Sequence, residues 1–189
     1  MVYQSKLFLG PVSKNIVDVA IEEANLSGKI IGLIPSRRQI DFNNGYVNKW
    51  NTKKFVNYVR SKSKNILIER DHSGPLQGIS IDDGVESLLQ DTKCEFDMIH
   101  IDPWKKFPKL QDAIDITASL IQKSCEINDN IFFEIGTEEA IRPYTSKEFE
   151  EFIYSLKIKL KDKFNRIKYA VIQTGNRLEA NSNVGSFNK

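Results

Sequence analysis

The chain has 189 residues, 40% of them apolar, 28% charged and 10% aromatic, enough apolar material for the core of one domain and too much for a disordered chain. Twenty-seven basic residues against 25 acidic ones leave a formal charge of +2, too even to point to a nucleic acid or another polyanion. No apolar run approaches the ~20 residues of a membrane span. Met1-Val-Tyr-Gln-Ser-Lys6 does not lead a basic segment into an apolar one. Two cysteines, Cys94 and Cys125, are too few for a disulfide scaffold. The expectation is a cytoplasmic protein with no membrane and no nucleic-acid partner.

Apolar runs and helical periods alternate along the chain. Leu7-Phe-Leu9 reads as a strand closed by Gly10-Pro11, and residues 13–24 as a helix capped by Ser13. Residues 29–34 form a buried strand, followed by a loop from Pro35 to Trp50 that is long for a strand-to-helix connection. A helix over 52–63, a strand over 65–68 running into Asp71-His72-Ser73-Gly74-Pro75, and a helix over 81–90 follow. Next come a strand over 98–102 stopped by Pro103, a helix over 110–125, and a strand over 130–135 stopped by Gly136. Thr145 and Glu148 have the spacing of a capping box ahead of Phe149, Phe152 and Leu156. The last strand spans 167–172, beyond which the chain is polar and rich in Asn.

Strands that alternate with helices imply a parallel sheet with right-handed crossovers. There is no Gly-x-Gly-x-x-Gly turn after the first strand and no Walker lysine loop. A TIM (β/α)8-type barrel, incomplete with about six β/α units, is therefore favoured over a doubly wound nucleotide-binding sheet. The whole chain, 1–189, reads as a single partial barrel domain, with 174–189 a polar C-terminal tail or the start of further units.

In parallel α/β folds functional residues gather at the carboxyl ends of the strands. Here those ends carry Ser36-Arg37-Arg38-Gln39, Asp71-His72, Asp102, Glu134 with Thr137-Glu138, and Gln173. Strand alternation turns Glu69 and Asp71, His100 and Asp102, and Phe132 and Glu134 toward the barrel interior. Each also has a structural reading. His72 caps a loop or serves the site, His100 is structural more readily than part of the site, Asp71 and Asp102 tie loops down or bind, and Glu69 and Arg70 form an internal ion pair or act as ligands. Two histidines and two distant cysteines do not make a zinc set by spacing alone, and no Gly-x-Ser-x-Gly elbow is present. Cys94 and Cys125 are expected to be packing residues.

Ile34-Pro-Ser36 leading to Gln39-Ile-Asp-Phe-Asn-Asn-Gly45-Tyr46, then Asp71-His72-Ser73-Gly74-Pro75, Ile99-His100-Ile101-Asp102, Ile135-Gly136-Thr137-Glu138 and Val171-Ile-Gln173-Thr-Gly175, resemble in this order the non-catalytic subunit family of class II tagatose-bisphosphate aldolase. The resemblance runs from about Leu7 to Gly175 and implies a TIM barrel related to zinc-dependent class II aldolases. In the catalytic relatives the histidine matching His72 is a metal ligand, and a glutamate matching Glu134 belongs to the metal neighbourhood. The subunit family is regarded as assisting a catalytic partner, and related members epimerise sugar acids. This chain departs from the pattern in stopping after the sixth strand, in having no later histidines to complete a zinc site, and in carrying Pro103-Trp104 where small residues are usual.

The expected function is that of an accessory subunit in carbohydrate metabolism, binding a sugar phosphate or sugar acid. Gln39, Tyr46, Asp71, Gly74, Thr137, Glu138 and Gln173 would bind the ligand. The alternative is an active aldolase or epimerase in which Asp102, His72 and Glu134 are catalytic, with Asp102 the base. The sequence leaves the cofactor and any metal ligands unknown; for a divalent metal such as zinc the ligand set is incomplete. The partner would be a catalytic aldolase subunit or a second copy.

Overall fold

The computed structural model describes residues 5, 7–137 and 142–172, together with the backbone of Arg177–Glu179 and Ser182–Val184. Six parallel strands, β1 (Phe8–Leu9), β2 (Ile31–Leu33), β3 (Ile66–Ser73), β4 (Met98–Ile101), β5 (Phe132–Thr137) and β6 (Ile167–Ile172), form one sheet in sequential order. A doubly wound sheet would reverse that order part-way, so the sheet instead curls as a half-barrel, consistent with an incomplete TIM-like barrel. Helices α1 (Lys14–Ser27), α2 (Thr52–Lys62), α3 (Val85–Lys93), α4 (Leu110–Ile127) and α5 (Ser146–Leu160) follow the first five strands. A 3₁₀ helix over Lys161–Arg166 leads into β6. Within the stretch read as a polar tail, β7 (Arg177–Glu179) and β8 (Ser182–Val184) pair antiparallel.

The core lies between the convex side of the sheet and the helices. Leu33, Ile68, Ile99 and Phe133 point from the strands onto Val17, Phe55, Leu88 and Ile114, all without solvent exposure. Ser13 caps α1 through its hydroxyl, and Thr145 with Glu148 makes the full capping box at α5. Cys94 is half-buried and Cys125 buried, both as free thiols.

Three boundaries differ from expectation. Helix α3 starts at Val85 rather than at residue 81, because Gly84 (φ 73°) makes the turn into it and Asp82 is held by Arg37. Strand β5 does not stop at Gly136 but runs through it to Thr137. A β-carbon at 136 would collide with the Val171 backbone of β6, so glycine is what allows the two strands to stay paired there. Strand β3 extends past Ile68 to Ser73, carrying the Asp71-His72 pair inside the strand rather than on a loop.

Two buried arginines fix the loops around the strand ends. Arg70 is fully buried and grips Asp91 of α3 with two bonds of 2.6 and 2.8 Å, while also donating to the Pro35 and Ile40 carbonyls of the long β2–α2 loop. It faces the helix layer, on the opposite side of β3 from Glu69, so the internal Glu69–Arg70 ion pair is ruled out by strand alternation itself. Arg37 binds Asp41, Asp82 and the Gly74 carbonyl from within the same loop. The strand end that read as a binding segment at Arg37 is thus a clasp between loops.

Candidate functional site

The site begins with an irregularity in β3. Arg70 pairs with Ile99 and Ser73 with Ile101, so three steps along β3 match two along β4. The extra residue is a bulge, which bends a strand and re-aims its side chains. Regular alternation would put Asp71 and His72 on opposite faces. Instead His72 adopts φ 47°, and its ring swings to the side of Asp71. The Asp71 N–H is anchored on the Pro35 carbonyl, and the Asp102 N–H on the Ser73 carbonyl at 2.7 Å.

Asp102, just past the end of β4, is 1% exposed. Its Oδ2 lies 2.6 Å from Nδ1 of His72 and accepts from the Gln77 amide at 2.6 Å, while Oδ1 accepts the Trp104 N–H at 3.3 Å. Gln77 is held in turn by the Lys105 ammonium, 2.6 Å from its carbonyl oxygen. Burial pushes the Asp102 carboxyl up. The bond to His72, the neighbouring His100 and His72 rings and the Trp104 N–H outweigh that and hold it below the usual carboxylate range. An ionised Asp102 accepts a hydrogen bond from Nδ1–H, which leaves Nε2 of a neutral His72 as the lone-pair nitrogen.

That nitrogen faces the carboxylate of Asp71, 3.5 Å away. The ring of His100 lies 5.2 Å from the ring of His72, and one donor atom from each of Asp71, His72 and His100 falls within 4.8 Å of the others. Two imidazoles and a carboxylate form a donor set suited to zinc, with a position left for a ligand. A carboxylate behind the distal nitrogen of a ligating histidine is the usual device for fixing its tautomer and ring plane, and Asp102 stands in that place. The residues present therefore fit a divalent metal. Spacing had argued against one. The histidines are 28 positions apart in the chain, and only the β3–β4 pairing brings them together. His100, for which a structural role was the stronger expectation, stands on the inward face of β4 and is brought into this cluster.

Below this cluster, Glu69 and Glu134 meet over the inner face of β4. Burial, then the neighbouring Glu134 carboxyl, then Asp71, push Glu69 up to about 10. They line an open cavity of about 420 Å³ with Ser5, Phe8, Ile34 and Tyr169.

The other expected ligand residues are placed as follows. Gln39 is buried and accepts the Ser36 N–H at 2.7 Å, closing its own loop. Tyr46 is 58% exposed on that loop. Gly74 packs against the Asp102 backbone so closely that a β-carbon would collide with its carbonyl. Thr137 is buried at the end of β5. Glu138 and Gln173 lie outside the described residues. Trp104, the departure noted in sequence, is buried, donates from its indole N–H to the Gly136 carbonyl, and packs on Tyr144 and Phe152. It braces β4 against β5 beside the site.

No protein-family model matches the chain, and no curated protein matches it in sequence. Solved structures do match in shape. A protein from Sinorhizobium meliloti 1021 described as a probable tagatose 6 phosphate kinase superposes with a TM-score of 0.71 at 16% identity, over 94% of this chain and 51% of its own. The fructose-bisphosphate aldolase of Campylobacter jejuni gives 0.57 at 14% identity, over 86% and 51%. A protein from Coccidioides immitis assigned as a deoxyribose-phosphate aldolase gives 0.53 at 13% identity, over 93% and 61%. At these identities the likeness is one of fold: an aldolase-like barrel, of which this chain spans about half to three-fifths of the neighbours' length.

Proposed function

We propose that this chain is a protein of sugar metabolism in which Asp71, His72 and His100 hold a divalent metal beside a sugar phosphate or sugar acid. The observation that carries the reading is the Asp102–His72 bond, which turns Nε2 of His72 toward Asp71 and His100. A bound zinc ion would polarise a carbonyl or hydroxyl oxygen of the ligand. Asp102 is enclosed by His72, Gln77 and Trp104, so in this reading it positions His72 rather than serving as the base. Asp71, a third exposed at the rim, presents its carboxylate to that metal beside the ligand. Gln39, Tyr46, Gly74, Thr137, Glu138, Gln173 and Glu134 would complete the pocket wall.

The order of motifs along the chain favours the finer reading of an accessory subunit that assists a catalytic aldolase in the cytoplasm, itself or with a second copy. Calorimetric titration with Zn²⁺ and an assay of tagatose 1,6-bisphosphate cleavage, alone and with a catalytic class II aldolase, test both levels. One zinc per chain, lost in His72→Ala, with cleavage by the chain alone, supports an enzyme. Zinc and sugar-phosphate binding without cleavage, but with a gain in the partner's activity, supports the accessory role. A chain that binds neither overturns both.

A further inference from the structure

We propose that Gln77 and Lys105 are positioning residues for His72, a relay in which the Lys105 ammonium fixes the Gln77 amide and that amide fixes the Asp102 carboxylate behind the imidazole. The relay rests on the reading of His72 as a metal ligand for its consequence, although its first readout needs no metal.

Gln77 reaches this place because its loop is fastened at both ends. The Leu76 N–H donates to the Asp82 carbonyl at 3.2 Å, and Arg37 holds the Asp82 carboxylate at 2.8 and 2.6 Å and the Gly74 carbonyl at 3.0 Å. Between these fastenings Leu76 takes φ 63°. The next side chain, Gln77, turns inward to 5% exposure, while Ile79 and Ile81 stay outside. A long amide side chain loses rotamer freedom on burial, and two bonds of 2.6 Å offset the loss. Its Nε2 donates to Oδ2 of Asp102, and its Oε1 accepts from Nζ of Lys105. Lys105 is half-buried at the rim, three residues past Asp102.

The two neighbours decide which way the amide points. A carboxylate only accepts and an ammonium only donates, so both require the same orientation and neither tolerates the flipped one. Oδ2 of Asp102 is thereby clamped between two donors at 2.6 Å, Nδ1 of His72 and Nε2 of Gln77. The clamp matters because His72 stands between two carboxylates, Asp102 at 2.6 Å from Nδ1 and Asp71 at 3.5 Å from Nε2. A neutral imidazole has one N–H to give. While Asp102 is held in line, that N–H stays at Nδ1 and the lone pair of Nε2 faces the cluster. Once Asp102 turns, the N–H passes to Nε2 and bonds Asp71, and the nitrogen a metal needs is occupied. The change is one of tautomer at constant charge, one proton leaving Nδ1 and one joining Nε2. Without Lys105 the Gln77 oxygen is buried with no donor, and the relay loosens from its outer end.

The test reads the His72 ring nitrogens by ¹⁵N NMR in the metal-free full chain, and zinc affinity by competition with a fluorescent chelator. The variants are Gln77→Met, Lys105→Met, Lys105→Arg and the double Met exchange. We expect the unaltered chain to hold the Nδ1–H tautomer. Gln77→Met and Lys105→Met should each shift the ring toward Nε2–H and weaken zinc binding about tenfold. Lys105→Arg, which still donates, should keep both properties. The double variant should lose no more than Gln77→Met alone, because residues acting in series are not additive. Lys105 lies at the rim, so its variants decide the matter should Gln77→Met fail to fold. An unshifted tautomer in Lys105→Met overturns the proposal, and so do losses that add in the double variant. An unaltered chain with its N–H at Nε2 overturns it without any variant. A chain that binds no zinc yet shows the tautomer shift overturns the metal reading and supports the relay; with no shift either, both fall.

Discussion

His72 holds φ 47°, a conformation that costs a residue with a β-carbon about 1 kcal/mol or more. What holds it there is the strand pairing on both sides of the bulge and the 2.6 Å bond to Asp102. Exchanging Asp102 for Asn keeps the shape but removes the charge that fixes the imidazole tautomer. We expect Asp102→Asn to weaken zinc binding about 10- to 100-fold, measured by competition with a chromophoric chelator, with the melting temperature changing far less than for a core truncation. Glu69 gives a residue-scale prediction of opposite character. Its acid is raised to about 10 in the folded chain from an ordinary value of 4.5, so the folded state binds the extra proton over that interval. Stability from this group is full at acid pH and falls as pH rises from about 4.5 toward 10. Glu69→Gln should flatten that decline, as denaturant melts at pH 5 and pH 9 would show.

At the scale of elements, each helix end and loop has its own fastening. The Thr145–Glu148 box caps α5, and Arg142, then the Thr145 N–H, hold Glu148 down to about 2. Thr145→Ala should cost about 1 kcal/mol, read by urea unfolding. The part contributed by Glu148 is present above about pH 4.5 and lost as pH falls toward 2, the reverse of Glu69. Arg70 ties the β2–α2 loop to α3. Arg70→Met leaves Asp91 buried without its counter-charge and should destabilise the chain by about 3–5 kcal/mol, measured in the same way. The elements themselves were legible in sequence, because period and caps are local: Ser13 and the Thr145–Glu148 pair cap as expected and all six strands exist in the expected order, although β3 and β5 run further than expected. The bulge was not, since one extra residue leaves no trace in an apolar pattern. Nor were the meeting of His72 with His100 or the choice of Asp91 by Arg70, which depend on which strand lies beside which.

For the whole molecule, sequential strand order sets the layout of the chemistry. Inward residues of successive strands stack in layers. Glu69 and Glu134 lie in one layer, and Asp71, His72, His100 and Asp102 in the layer above. The lower layer opposes ionisation and the upper one favours it at Asp102. Their pH dependences therefore oppose each other, and the chain should be most stable in mildly acid solution, with melting temperature falling on both sides in a scan from pH 3 to pH 10.

The bulge in β3 also says how such a site comes and goes. Loss of His72 would restore regular pairing with β4, leave Asp71 on the inward face opposite His100 and remove the imidazole, with every neighbouring strand left intact. A metal-competent mouth and a carboxylate-only mouth on this scaffold are then separated by the loss or gain of a single codon, and not by a series of side-chain exchanges. Homologous half-barrels that differ in length by one residue at this point should differ in whether they bind metal at all.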